Sequence, residues 1–332
     1  MMQPTATLDR DTLRSNVRAW GRYTRTPIAV VLKHDGYGWG AAGIVRAIDD
    51  LVESYFIASA DEFDALRAHT EKPLRLINDV PIDRLESLLE RGAIVNVSDR
   101  IALERVDSWA RRKNTVARIR VGIVDATSWS SVRPKEVRAF AELAARSRVA
   151  VEVWTHVTSR ERQSATLKTL GDTVAHFREA AVNVVSEDYA STGSADGRRP
   201  AERVRIGVGL FGARLGLPLK LDCAIRLSAP VVRRHAPGEM AWAGYGATAI
   251  PADRGVCVVR CGYGDGLPKQ LEGTSDVLSI GMQFTTVPTR GDDALVAIVD
   301  RASDLDALAA RAGLLPHELV CSLAHHAEWE PL

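Results

Sequence analysis

The stretch AVVLKHDGYGWGAAGIVRAI, residues 29–48, decides the fold. Apolar residues run straight into Lys33, a Gly-rich loop carrying Tyr37 follows, and a helical pattern starts near Ala41. A buried strand, a turn and a helix in that order make one unit of a parallel α/β sheet. The pattern recurs along the chain. Short apolar runs lie at 27–33, 54–60, 73–79, 93–98, 116–122, 149–156, 182–186 and 205–212. They are rich in Val and Ile and barely alternate, as strands buried on both faces do. Amphipathic stretches such as DEFDALRAHT and PKEVRAFAELAARS separate them, and Asp61 and Ser98 stand where helix N-caps are expected. Eight such units predict a (β/α)8 barrel.

Beyond about residue 220 the texture changes. Runs such as AIRLSAPVVRRH, GVCVVRCGYG and DVLSIGMQFTTV are broken by Gly, Pro and Asp, which predicts a β-rich second domain interrupted by a helix in DLDALAARAG, 304–313. The expected organisation is a barrel over 1–218 and a mostly β domain over 219–332. The segment LDRDTLRSNVRAWGRY, before the first barrel strand, reads as a helix capped near Asp9 or Asp11.

Composition excludes several functions. Lys and Arg number 43 against 42 Asp and Glu, a formal net charge of +1. No basic face exists to draw nucleic acid or a membrane surface. The N-terminus lacks an apolar signal core and no run reaches the ~18 apolar residues of a membrane span, so a cytoplasmic protein is expected. Cys223, Cys257, Cys261 and Cys321 have no zinc spacing and are expected to be buried free thiols.

Barrels place their chemistry at the C-terminal ends of the strands. Lys33 ends the first expected strand and His156 the sixth, EDYASTG follows the seventh, and the eighth starts at Arg205 and continues through Gly207 and Val208. A partly desolvated lysine at such a rim is a nucleophile suited to a carbonyl, including that of pyridoxal 5'-phosphate (PLP). Gly207 and Val208 can present backbone N–H groups to an anion. Singly, each residue has a structural explanation: a lysine extending from the rim, a satisfied core histidine, an arginine paired with Glu202 or Asp188. Together they converge on one rim.

With these motifs the chain resembles the alanine racemases, fold-type III PLP enzymes. AVVLKHDGYGWG matches the family's lysine motif with Trp39 in place of a histidine, and VRIGVGLFG (204–212) matches its strand-eight motif with Phe211 in place of a tyrosine. GEMAWAGYGATA (238–249) resembles the segment bearing the family's catalytic tyrosine, and CGYGDGLPK (261–269) its Gly-Tyr-x-Asp-Gly element. The resemblance implies a PLP-dependent racemase with Lys33 carrying the cofactor as a Schiff base and acting as one base, and Tyr245 as the other. It implies Tyr37, Ser191, Gly207 and Val208 at the phosphate, Arg205 at the pyridine nitrogen and His156 near the ring. Arg120, Tyr263 and Met282 would serve the substrate end. It further implies a homodimer in which the tyrosine-bearing domain of one chain closes the barrel mouth of the other, acting on a small-molecule amino acid.

Departures fall on the substrate side. The family's Lys-x-Asp-Thr-Gly-Met-x-Arg segment reads RIRVGIVDATSWSSVRPKE (118–136), where Arg120 falls near the lysine, Arg133 is the candidate for the arginine, and the Asp-Thr-Gly core is gone. The C-terminal Arg-x-Pro-Arg-x-Tyr segment is absent, and the chain ends LAHHAEWEPL, with His325 or Trp329 as candidates to occupy its space. These losses point to a substrate other than alanine. Two alternatives remain open at this level. One is another fold-type III reaction, decarboxylation, aldol cleavage or dehydration, for which Cys321, His325 and His326 lie close together for a metal; an ordinary C-terminal tail is the favoured reading of that cluster, and no metal is expected. The other is a non-catalytic PLP-binding relative.

Overall fold

The computed structural model describes residues 3–123, 130–156, 160–182, 184–189, 203–273, 277–289 and 293–324. The chain divides into two compact units, one of Val17–Gly36 and Ile48–Gly207, the other of Met1–Asn16, Tyr37–Ala47 and Val208–Leu332.

β1 (Thr5–Leu8) opens the chain and belongs to the second unit. The first unit holds β2 (Ile28–Val31), β3 (Ser54–Ile57), β4 (Leu74–Asp79), β5 (Ile94–Asn96), β6 (Ala117–Ile123), the short β7 (Ser131–Val132), β8 (Val149–Trp154), β9 (Val184–Tyr189) and β10 (Arg203–Ile206). Leaving β7 aside, each of these strands pairs in parallel with the next, and β10 pairs back onto β2. The ring therefore closes as the expected barrel. Strands buried on both faces need the near-continuous apolar runs seen in the sequence, and β2 and β3 are buried at every position.

One strand and two helix starts differ from the sequence expectation. The eighth strand spans Arg203–Ile206 and stops before Gly207, and Val208–Phe211 form a buried 3-10 turn. The apolar run 208–211 reflects burial rather than extension, and burial alone does not separate the two. The N-caps are Ser59 and Asp99, not Asp61 and Ser98. Both caps have extended backbones as the chain leaves a strand, and their side chains accept from the N–H groups of Glu62 and Ala102. Asp61 lies inside the first turn, where its charge meets the positive end of the helix.

The second unit is mostly antiparallel. β11 (Ile225–His235) pairs with β1, with β14 (Val256–Val259) and with β17 (Leu295–Val299). β12 (Trp242–Ala243) and β13 (Thr248–Ala249) form a separate hairpin. β15 (Ser279–Ile280) and β16 (Thr285–Pro288) extend the sheet from β14. The expected helical insert is Leu305–Ala312, capped by Asp304 and ended by left-handed Gly313 (φ 65°). A second helix, Pro316–Leu323, follows it and carries the exposed Cys321, while the other three cysteines are buried as expected. The N-terminal helix, Arg10–Thr24, starts at Asp9, whose Oδ1 accepts the Thr12 N–H at 2.7 Å. Among the described residues no helix is long and apolar enough to cross a membrane.

Candidate active site

Lys33 lies two residues beyond the end of β2 at the C-terminal end of the barrel, and the chain then turns the wrong way. His34, Asp35, Gly36 and Tyr37 all have positive φ, at 56°, 49°, 66° and 63°. Each non-glycine residue held there costs about 1–2 kcal/mol, so the surroundings must impose the turn. Gly36 N–H donates to the Leu32 carbonyl at 2.8 Å, and His34 N–H donates to Glu62 Oε1 at 2.7 Å. Glu62 Oε2 accepts the Ala58 N–H at 2.7 Å, so one carboxylate ties the ends of β2 and β3 together. The sequence signal for Glu62 was the S-x-x-E spacing of Ser59 and Glu62, a capping box. Lys33 itself is exposed in the single chain, not partly desolvated as expected.

Tyr37 belongs to the second unit. Its ring is buried, meets Phe211 edge-on at 5.6 Å and lies 6.2 Å from His317. Trp39 donates from Nε1 to the Val320 carbonyl at 2.9 Å and tilts against Phe211 at 6.4 Å. The two positions that depart from the family's lysine and strand-eight motifs thus pack on each other and on the helix Pro316–Leu323.

The barrel interior is unusually cationic. Arg75, Arg120 and Arg205 are each fully buried or nearly so. Arg205, one residue from the end of β10, donates to the Thr155 carbonyl at 2.9 Å, and its guanidinium lies 4.9 Å from the Trp154 ring and 5.3 Å from that of Phe56. Arg120 donates to the Leu76 carbonyl at 2.7 Å and lies 4.6 Å from Phe56 and 5.1 Å from Trp154. Deeper in the barrel, Arg75 forms a bidentate pair with Glu152 at 2.7 and 3.1 Å. Arg118 and Arg203 also reach Glu152, and Arg203 pairs with Glu53. Burial alone would raise the Glu152 carboxyl, but the Arg75 hydrogen bonds and the Arg75, Arg203 and Arg120 charges hold it at about 2. His156 follows β8 at the same rim. Arg133 does not reach inward, because its side chain is exposed and bonds Glu136 at 2.9 Å.

In the second unit, the turn between β12 and β13 carries Tyr245, which is 83% exposed. Gly244 has φ +65°, and a Cβ there would fall 1.8 Å from Ser279 Oγ, so only glycine lets the turn lie on β15. Tyr263 and Met282 are brought together: Tyr263 N–H donates to the Gly281 carbonyl at 3.0 Å and Gly264 N–H to the Met282 carbonyl at 2.9 Å. Asp265 fixes this loop, accepting from Gly262 N–H at 2.9 Å and Arg260 Nη1 at 2.7 Å. Tyr245, Tyr263, Met282, Trp242 and Phe284 are all exposed. Ser191 lies outside the described residues, as do His325, His326 and Trp329.

The barrel residues fit PLP. Thr155 Oγ1 is fully buried beside the Arg205 contact and has no hydrogen-bond partner among the described residues. A buried hydroxyl in that state invites a ligand's polar atom. An exposed amine on Lys33, the cation of Arg205 and the turn at Gly207 complete a set suited to an aldehyde, a ring nitrogen and an anion.

Fold and donor set together define a PLP-binding barrel enzyme of fold type III. The family profile described as alanine racemase, N-terminal domain, matches residues 8–215, and this chain belongs to the alanine racemase family of PLP-dependent isomerases. It is 26% identical to the alanine racemase of Symbiobacterium thermophilum, over 97% of this chain and 96% of that one. It is 29% identical to that of Mycobacterium ulcerans, over 83% of this chain and 76% of the other. Among solved structures, alanine racemase from Bartonella henselae with covalently bound pyridoxal phosphate superposes with a TM-score of 0.82 at 18% identity, covering 99% of both chains. The Acinetobacter baumannii alanine racemase gives 0.81 at 17% identity, covering 97% of this chain and 98% of that one.

Proposed function

We propose that the chain racemises an amino acid other than alanine by exchanging the Cα proton between Lys33 on one face and Tyr245 on the other. The observation that carries this reading is Lys33 itself, an exposed amine set on a left-handed turn at the end of the first barrel strand. When bound, PLP supplies the electron sink for the charge left on Cα. The chain's own groups do the rest. Lys33 Nζ takes or returns the proton on its face, and Tyr245 Oη does the same on the opposite face. Arg205 holds a permanent cation at the ring nitrogen and does not release its proton, which keeps charge at Cα and favours reprotonation there. Tyr37, Ser191, Gly207 and Val208 hold the phosphate, and His156 stands by the ring. Tyr263 and Met282 border the substrate, and Arg120, fully buried, acts on its carboxylate through charge rather than contact.

The active form in this reading is a cytoplasmic homodimer with shared sites. The exposed Trp242, Tyr245, Tyr263, Met282 and Phe284 support it, since so many large apolar side chains on one unit favour a covering partner. That cover also supplies the desolvation that Lys33 lacks in the single chain. The preference for a substrate other than alanine rests on the lost Asp-Thr-Gly core and on Arg133 being paired with Glu136.

The test is borohydride reduction followed by peptide mass analysis, with solvent deuterium uptake measured across an amino-acid panel. PLP fixed on Lys33, lost in Lys33→Ala, with Cα exchange best on a larger amino acid, is the expected result. Alanine as the best substrate would overturn the substrate preference, and no PLP on Lys33 would overturn the activity.

A further inference from the structure

Asp79, Asn96 and Trp154 have no part in the roles above, yet they form one hydrogen-bonded chain that ends on Trp154, whose ring lies 4.9 Å from the Arg205 guanidinium. Trp154 is 5% exposed and its indole N–H needs an acceptor, which Asn96 Oδ1 supplies at 2.7 Å. The Asn96 amide nitrogen donates to Asp79 Oδ1 at 2.8 Å and to the Ser130 carbonyl at 3.0 Å. An indole N–H only donates and an ionised carboxylate only accepts, so an amide joins them in one orientation. Asp79 is held in turn by Ser98 Oγ, which donates to Oδ2 at 2.5 Å, and by its own N–H, which donates to Ser130 Oγ at 3.1 Å. Burial raises the Asp79 carboxyl above its ordinary range despite the bonds from Ser98 and Asn96.

The indole is confined from a second side. A Cβ on Gly122 would lie 2.6 Å from Trp154 Cζ2 and 2.8 Å from the Ser130 carbonyl oxygen. Gly122 therefore opens the space that the indole fills. With its edge bonded and its outline fixed, the ring has one position, and the Arg205 and Arg120 guanidiniums lie against it and against Phe56. Phe56, Asn96, Trp154 and Arg205 stand on alternate strands of the ring, β3, β5, β8 and β10, the arrangement by which barrel interiors fill in layers.

We propose that Asp79 and Asn96 are positioning residues that fix Trp154 as the platform for the Arg205 guanidinium, and so set where the barrel presents its cation to the cofactor ring. The inference rests on the reading that Arg205 serves the ring nitrogen. It identifies a device built from residues on β4, β5 and β8 to which the proposed function assigns no other role.

The test reads the arginine first without cofactor. In apoprotein carrying 15N-arginine, the Arg205 Nε–H signal, assigned with Arg205→Lys, is displaced by the Trp154 ring current. Asn96→Leu and Asp79→Leu are expected to move that signal toward the position it takes in Trp154→Phe. Asp79→Asn, which still offers Asn96 an acceptor, is expected to restore it. In the holoenzyme, Asn96→Leu should shift the absorption of the bound cofactor and weaken PLP binding about tenfold, the scale of a lost outer support or a desolvated cation–π contact. Lys33 should still be labelled after borohydride.

An unmoved Arg205 signal in Asn96→Leu overturns the proposal. A moved signal with unchanged absorption and PLP affinity also overturns it, because the chain is then only structural. Should Asn96→Leu not fold, Asn96→Ser gives the same readouts. If the wild type never links PLP to Lys33, the proposed activity falls, while the apoprotein signal still decides whether Asn96 positions Arg205.

Discussion

Glu62 Oε1 accepts the N–H of His34 at 2.7 Å, one residue beyond Lys33. The same carboxylate accepts the Ala58 N–H, so it closes a bridge between the ends of two neighbouring barrel strands. Four successive positive-φ residues after Lys33 depend on such bonds. Glu62→Ala is expected to destabilise the protein by about 1.5–3 kcal/mol, the range for hydrogen bonds to a charged group. PLP affinity should fall with it, because the amine loses its fixed base. Glu62→Gln, which keeps one acceptor, should lie between the two. Urea titration and spectroscopic PLP titration give both numbers, and unchanged affinity in Glu62→Ala would show that the turn is held by other means.

The Glu152 cluster makes stability depend on acid. Its carboxyl is held at about 2 against an ordinary value of 4.5, and Glu53 is lowered as well, in each case against the opposing effect of burial. A carboxyl lowered in the folded state stabilises it fully above the ordinary value, and the contribution fades as pH falls from there toward 2. Glu152→Gln leaves Arg75 and Arg203 facing no full charge at that site and is expected to cost about 3–5 kcal/mol at neutral pH. Denaturant unfolding followed across pH 2–7 should show the wild type losing stability below about 4.5 and a flatter acid limb in the variant. Parallel limbs would contradict the assignment.

How much of this was visible in the sequence differs from element to element. The barrel strands were legible because burial on both faces leaves uninterrupted Val and Ile runs. The end of the eighth was not, because Val208–Phe211 are as buried in a 3-10 turn as they would be in a strand. Lys33, Arg205 and Tyr245 were singled out by motifs with fixed spacing. Asn96, Trp154 and Glu152 were not, because each looks like an ordinary strand residue until the ring closes. Their partners lie 58 residues away for Asn96 and Trp154, and 77 for Glu152 and Arg75. Ser98 shows the same limit: its place suggested a helix cap, and its hydroxyl bonds Asp79 on a neighbouring strand instead.

Gly262 sets how closely the Tyr263 loop meets the Met282 loop. A Cβ there would sit 2.4 Å from both the Gly281 and the Met282 carbonyl oxygens, which are backbone atoms with no freedom to swing away. Gly262→Ala should separate the two loops and break the Tyr263 and Gly264 hydrogen bonds. The expected result is a loss of substrate turnover through KM and kcat together, with PLP still fixed on Lys33. Wild-type kinetics in this variant would show that the two loops do not shape the substrate end.

Tyr245 is exposed on the β12–β13 turn, so replacing it removes a hydroxyl without opening a core cavity. Tyr245→Phe is therefore expected to keep fold and PLP linkage while racemisation drops by about 10²–10⁴, the usual worth of a placed acid or base. The loss should be unequal between directions. With one base gone, the enantiomer whose Cα–H faces Lys33 still exchanges its proton with solvent, and the other enantiomer does not. Proton NMR of each pure enantiomer in deuterated water separates the cases. Exchange kept for one enantiomer alone assigns Tyr245 to the opposite face. Equal loss for both would mean that Tyr245 positions the substrate, and equal retention would mean that another group is the second base.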